Sequence, residues 1–123
     1  MSHSILVVDD SATMRQQLRV FLESSGFLVL EADDGTTGLH QARTSSVDIL
    51  IVDVHMPRMN GIEMIGEIRK LPGYANTPIF VLTTDSASTS MAQAKAAGAT
   101  AWIIKPFKPD ILLKGIKKVL GIA

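Results

Sequence analysis

The sequence predicts one α/β domain spanning residues 1–123, a parallel sheet of five strands alternating with five helices. Three observations carry that prediction. Short apolar runs recur five times, at 4–8, 27–32, 49–52, 79–82 and 101–104. Between them lie segments whose apolar residues return every three or four positions, the period of a helix. The run ILIV at 49–52 is apolar without interruption, as in a parallel strand covered on both faces; a half-exposed strand would alternate.

Taken in order, SILVV at 4–8 is the first strand and ends at Asp9, Asp10 and Ser11. Met14, Leu18, Phe21 and Leu22 then mark one face of a helix, capped by Ser11 or Asp10 and stopped at Gly26. FLVLEA at 27–32 is the second strand. Asp33, Asp34 and Gly35 turn the chain into a short helix through Leu39 and Ala42, whose pattern is diluted by Thr37 and Gly38. The third strand follows Asp48 and ends at Asp53, after which Met56-Pro57 and Asn60-Gly61 form a loop. Asn60 with Glu63 resembles a capping box, and the helix it opens is expected to turn Ile62, Ile65 and Ile68 inward before Pro72-Gly73 closes it. IFVL at 79–82 is the fourth strand, with Thr83, Thr84 and Asp85 at its end. An alanine-rich helix over 91–97 closes at Gly98, and AWII at 101–104 is the fifth strand, ending at Lys105-Pro106. Pro109 suits the first position of the last helix. Leu112, Ile116, Val119 and Leu120 are its expected apolar stripe, while Lys114, Lys117 and Lys118 complement the negative end of its dipole.

Composition narrows the function. At 46% hydrophobic and 20% charged residues, the 123-residue chain has the balance of a soluble globular domain. No apolar run approaches the ~20 residues of a membrane span, and no basic stretch precedes an apolar core at the N-terminus. There is no cysteine, so disulfides and thiolate metal sites are excluded and a cytoplasmic setting is expected. Net charge is zero but graded: residues 1–53 carry eight acids against three arginines, and residues 91–123 six lysines against one aspartate. Nucleic-acid binders more often carry an overall positive excess, so none is expected as a partner.

The carboxyl ends of the predicted strands hold the chemistry. The first offers Asp9 and Asp10, the third Asp53, the fourth Thr83, the fifth Lys105. In open α/β sheets ligands bind outside those ends. If the strands are neighbours, three carboxylates share one cleft, and like charges ~4 Å apart repel by about 4 kcal/mol even at an effective dielectric of 20. Such a cluster calls for a cation, and hard oxygen donors suit Mg²⁺. Asp53 would then be a nucleophile for phosphoryl chemistry. Each residue also has a plainer role. Asp53 alone can simply end a strand and cap a turn, Thr83 can satisfy a backbone group, and Trp102 can be core. Lys114, Lys117 and Lys118 can form a solvated helix face.

Asp9-Asp10, Asp53, Thr83 and Lys105-Pro106, at these spacings, resemble the receiver domain of bacterial two-component response regulators along the whole chain. The segment VDDSATMR, with no output domain expected, makes the chain most similar to the single-domain chemotaxis regulators of the CheY group. The resemblance implies a flavodoxin-like (βα)5 doubly wound fold with strand order 2-1-3-4-5. It also implies that Asp53 accepts a phosphoryl group from the phosphohistidine of a sensor histidine kinase. Mg²⁺ (or Mn²⁺) would be held by Asp10, Asp53 and the backbone carbonyl of His55, with Asp9 acting through water. The metal and the Lys105 ammonium would offset phosphoryl charge. Thr83, with Thr84 beside it, would contact the phosphate and move inward, and Trp102, at the family's switch-aromatic position, would fill the vacated space. The bond between Lys105 and Pro106 would be cis. Partners would dock on the face of the fourth helix, fifth strand and last helix. They include a downstream target, with the flagellar motor switch as one candidate, and a phosphatase. The implied protein is a monomeric signalling phosphoacceptor acting in chemotaxis or in another phosphorelay.

Two residues depart from the family's habit. His55, two residues after Asp53, is expected to tune dephosphorylation, its alternative being a solvated loop histidine. Trp102 is bulkier than the usual tyrosine or phenylalanine and offers only an N–H donor. Three other function classes compete, and the presence of all five site residues speaks against one of them, a pure scaffold that never becomes phosphorylated. A flavin or nucleotide site on this fold wants a Gly/Ser/Thr-rich loop after the first strand, where this chain has two aspartates. A phosphatase acting on outside substrates wants a general acid near Asp53, and His55 is the one candidate.

Overall fold

Strand β3 (Ile49–Val52) lies at the centre of a five-stranded parallel sheet, all four of its side chains buried. The computed structural model describes residues 3–122; Met1, Ser2 and Ala123 of the expected 1–123 domain lie outside the described residues. The other strands are β1 (Ser4–Val8), β2 (Leu28–Ala32), β4 (Ile79–Thr83) and β5 (Ala101–Ile104). The helices are α1 (Ala12–Ser24), α2 (Gly35–Thr44), α3 (Gly61–Arg69), α4 (Ser88–Ala97) and α5 (Pro109–Leu120). The sheet order is β2-β1-β3-β4-β5, every pair parallel, which is the flavodoxin-like doubly wound arrangement expected.

Alternation along the strands divides the core into two layers. Ile5, Val7, Ile49, Ile51, Phe80 and Leu82 meet Leu18 and Leu22 of α1 and Leu112 and Ile116 of α5. Their neighbours Leu6, Val8, Leu50, Val52, Ile79 and Val81 point the other way, onto α2, α3 and Ala94 of α4. Burying one such aliphatic side chain is worth about 1.5–3 kcal/mol, so the strand runs that made the sheet predictable also hold it together.

The helix ends follow the sequence signals closely. The Ser11 side chain accepts the Met14 N–H, and Asn60 with Glu63 forms both halves of the capping box. Asp34 with Thr37 forms a second box at the start of α2. Gly38, which weakened the expectation for α2, is what lets that helix sit down on the sheet: a Cβ there would lie 2.7 Å from Met64 Sδ and 3.1 Å from Val8.

Three expectations are corrected. In α3 the buried face is Gly61, Met64, Ile65 and Ile68, with Ile62 only half-buried, because the face repeats at alternating three- and four-residue steps and not at three alone. Helix α4 begins at Ser88, not at 91, because its start has no apolar residue to mark it. In α5, Val119 is 38% exposed, and the buried stripe is Leu112 and Ile116. No helix among the described residues is long and apolar enough to cross a membrane.

Candidate functional site

Val8 of β1 is in register with Val52 of β3, so the residues that follow, Asp9 and Asp53, emerge side by side at the carboxyl end of the sheet. Their backbones are anchored by the ladder: Asp9 N–H bonds to Ala32 O at 3.1 Å, and Asp53 N–H to Val8 O at 2.9 Å. β1 and β3 are the strands at which the chain reverses direction across the sheet, the place where this architecture opens a crevice. Carboxylate oxygens of Asp9, Asp10 and Asp53 all lie within 4.8 Å of one another. Asp9 is buried, Asp53 half-buried and Asp10 exposed, so the cluster opens to solvent through Asp10.

Lys105 reaches this cluster from the far side of β4. Its N–H bonds to Thr83 O at 2.7 Å, and the bond to Pro106 is cis. The ammonium lies 2.9 Å from Asp9 Oδ2 and 3.4 Å from Asp53 Oδ2. Burial alone would pull this amine down; the hydrogen bond and charge of Asp9, with Asp53 adding to both, outweigh it and hold Lys105 above its ordinary value. The ammonium thus pairs with two of the three acids, and among the described residues the cluster keeps an excess of negative charge.

Thr83 is fully buried, and its hydroxyl accepts the Asp85 N–H at 3.2 Å. Thr84 is exposed beside it. Trp102 is half-buried against the α3–α4 side of the core, and its Nε1–H donates to Asp85 O at 3.1 Å. His55 stands over the mouth of the cleft: its N–H points to Asp53 Oδ1 at 3.4 Å and its Nε2 lies 2.8 Å from Asp85 Oδ2.

Asp85 is the residue whose part was not foreseen. It accepts the Ala87 N–H at 2.8 Å, and that amide, then Ser90 and His55, hold its carboxyl below the usual range. An aspartate just before an alanine-rich helix was the available signal, since α4 has no side-chain cap of its own at Ala87. Its ties to His55 and Trp102 join residues 30 and 17 positions away, which no local pattern reports.

The donor set is all oxygen, compact, and richer in negative charge than Lys105 alone offsets. That fits a hard divalent cation such as Mg²⁺ or Mn²⁺ bound by two or three of the carboxylates. Gly61 matters to the geometry, because a Cβ there would overlap the Asp53 carbonyl oxygen.

A five-stranded doubly wound sheet with an acid cluster and a lysine at its carboxyl edge defines a receiver module. Residues 5–117 match the family described as the response regulator receiver domain, and the chain belongs to that family. Among its relatives is the chemotaxis protein CheY of Pseudomonas aeruginosa, 34% identical over 116 residues, 94% of each chain. The chemotaxis protein CheY homolog of Campylobacter jejuni is 37% identical over 119 residues, 95% of this chain and 92% of that one. The solved structure of the chemotaxis protein CheY4 of Vibrio cholerae superposes with a TM-score of 0.92 at 39% identity, covering 97% of this chain and 99% of that one.

Proposed function

We propose that the chain is a stand-alone response regulator whose Asp53 carboxylate takes a phosphoryl group from a histidine kinase and reports it through a protein-docking face. The observation that carries this reading is the convergence of Asp9, Asp10 and Asp53 with the Lys105 ammonium at the carboxyl ends of neighbouring strands. In the transfer, an Asp53 oxygen forms a new bond to phosphorus as the bond from phosphorus to the donor imidazole nitrogen breaks, and the imidazole leaves. Asp10, Asp53 and the carbonyl of His55 would hold Mg²⁺, with Asp9 contributing through water. When bound, the ion offsets charge on the acids and on the phosphoryl oxygens. Lys105, already beside Asp53, supplies a second fixed positive charge aimed at the same oxygens, with no reorganisation needed.

Thr83 supports the switch. Its hydroxyl oxygen accepts from Asp85 N–H, leaving the hydroxyl proton to donate to a phosphoryl group. A swing of Thr83 toward Asp53 would strip Asp85 N–H of its acceptor, and the Asp85 carbonyl is what holds Trp102 Nε1. The site is thereby joined to β5 through two hydrogen bonds, and Trp102 lines a groove with Met91, Lys95 and Thr100 between α4 and β5. Altering that groove changes the face offered to a downstream target.

The relatives' chemotaxis names support a role in chemotaxis, and control of the flagellar motor is the output we assign to it. The partners are then a sensor kinase, a target such as the motor switch, and a phosphatase. The protein works as a cytoplasmic monomer and catalyses only its own phosphorylation and dephosphorylation. The test is intact mass after incubation with a small-molecule phosphodonor. One added phosphoryl group is expected with Mg²⁺, little with EDTA, and none in Asp53→Asn. Equal labelling of the Asn variant would refute the assignment.

A further inference from the structure

The loop from Val54 to Asn60, which carries the His55 carbonyl, is tied to a helix that takes no part in the acid cluster. Arg58 in this loop has φ +63°, a left-handed conformation that a non-glycine residue holds only when its surroundings compel it. Its guanidinium pairs through Nε and Nη2 with Asp34 Oδ2. One residue on, Met59 O accepts the Gly35 N–H at 2.9 Å, and a Cβ at Gly35 would overlap that same carbonyl. The loop therefore lies flush on the first turn of α2 at two successive points.

Which partner serves the other follows from burial. Asp34 is 1% exposed, and its Oδ1 accepts the Thr37 N–H at 2.9 Å. That amide first, then Arg58 and the Thr37 hydroxyl, overcome burial and keep its carboxyl below the ordinary value. The start of α2 thus already compensates the charge, and it is a fixed anchor. Arg58, by contrast, is mostly exposed, and no ladder or helix holds its backbone. The pair restrains the loop more than it serves the helix.

We propose that Asp34 and Arg58 are positioning residues that set the divalent-ion affinity of the acid cluster from outside it, by fixing the loop between Asp53 and α3. This rests on the reading of Asp9, Asp10 and Asp53 as an ion site. Outer partners that orient metal ligands are commonly worth tenfold or more in affinity. Asp34 and Arg58 act in series on one loop, so losing either forfeits the effect of both.

The test is calorimetric titration with Mg²⁺ alone of wild type, Asp34→Asn, Arg58→Ala, the double variant and Arg58→Lys. Asn caps a helix as well as Asp does, so Asp34→Asn leaves α2 intact. Each single variant is expected to weaken Mg²⁺ binding about tenfold. The double variant is no weaker than the worse single, and Arg58→Lys recovers part of the loss. In metal-free protein, amide hydrogen exchange across residues 54–60 rises in both singles while β3 stays protected. Tyr74→Phe, which removes a buried hydroxyl bonded to Ala42 O and Ser45 O at the other end of the sheet, controls for lost stability and leaves the Mg²⁺ affinity unchanged. Affinities within about twofold of wild type in both singles, or losses that multiply in the double, overturn the proposal. A wild type that binds no Mg²⁺, or binds it no better than Asp53→Asn, overturns the ion site and this inference with it.

Discussion

Replacing Asp53 with asparagine should make the metal-free protein more stable. Asp53 faces two like charges, with carboxylate oxygens of the three acids within 4.8 Å of one another. At an effective dielectric of about 20, two unit charges at that separation repel by about 3.5 kcal/mol. Asp10 is exposed, so solvent and salt reduce its share. Against this stands one attraction, to Lys105 at 3.4 Å, worth about 5 kcal/mol at the same dielectric. Asparagine also spares the desolvation of a carboxylate whose side chain is 12% exposed, a cost of several kcal/mol for an ion. The balance favours the variant by about 1–2 kcal/mol, or roughly 4–8 °C in Tm. Urea unfolding in EDTA reads the difference directly. With Mg²⁺ at a hundred times its dissociation constant, wild type gains about 2.7 kcal/mol while the variant gains far less, and the order of stability inverts. A variant less stable than wild type in EDTA, or equal stabilisation of both by Mg²⁺, would refute the reasoning.

Lys105→Met should cost the metal-free protein about 3 kcal/mol, since it leaves the buried Asp9 carboxylate without its ammonium. Lys105 is held above its ordinary 10.5, so its contribution is complete below that pH and is lost as pH climbs through the higher folded value. The gap between wild type and variant in urea titrations is then flat through neutrality and narrows only in strong alkali; a gap that closes below pH 9 would contradict the pairing. Gly61→Ala should lower stability by about 1–3 kcal/mol and slow phosphorylation, because the new methyl displaces the Asp53 carbonyl. Gly66→Ala, in the same helix with nothing within 4 Å of the added carbon, should instead stabilise by up to about 1 kcal/mol. Thermal melts of the two variants shifting in the same direction would sink the steric account.

The chain's strands were legible because their information is local. An unbroken ILIV flanked by aspartates reads as a buried strand wherever it lands in a sheet, and all five runs formed strands with ends within a residue of expectation. The acids and the lysine were legible for the same reason, as Asp9, Asp53 and Lys105 are each the first residue after a strand and Asp10 is the second. What could not be read depends on who meets whom. Gly38 looked like a defect in α2 until Val8 and Met64 were found pressed against it. Asp34 looked like a turn residue, and its bond to Arg58 spans 24 positions. The start of α4 was missed because Ser88, Thr89 and Ser90 carry no apolar period, and the Asp85 carboxylate that caps the turn before it lies outside the helix. Val119 fell on the expected stripe of α5, yet it is exposed while its neighbour Leu120 packs against the core.

The central claim is that one carboxylate, Asp53, carries the phosphate. Borohydride reduction of the phosphodonor-treated protein converts an acyl phosphate to an alcohol and so marks the acceptor for peptide mapping. The mark is predicted on the peptide containing Asp53, only when Mg²⁺ was present. A mark on Asp9 or Asp10, or one that forms when the metal has been chelated before the phosphodonor is added, would contradict the account.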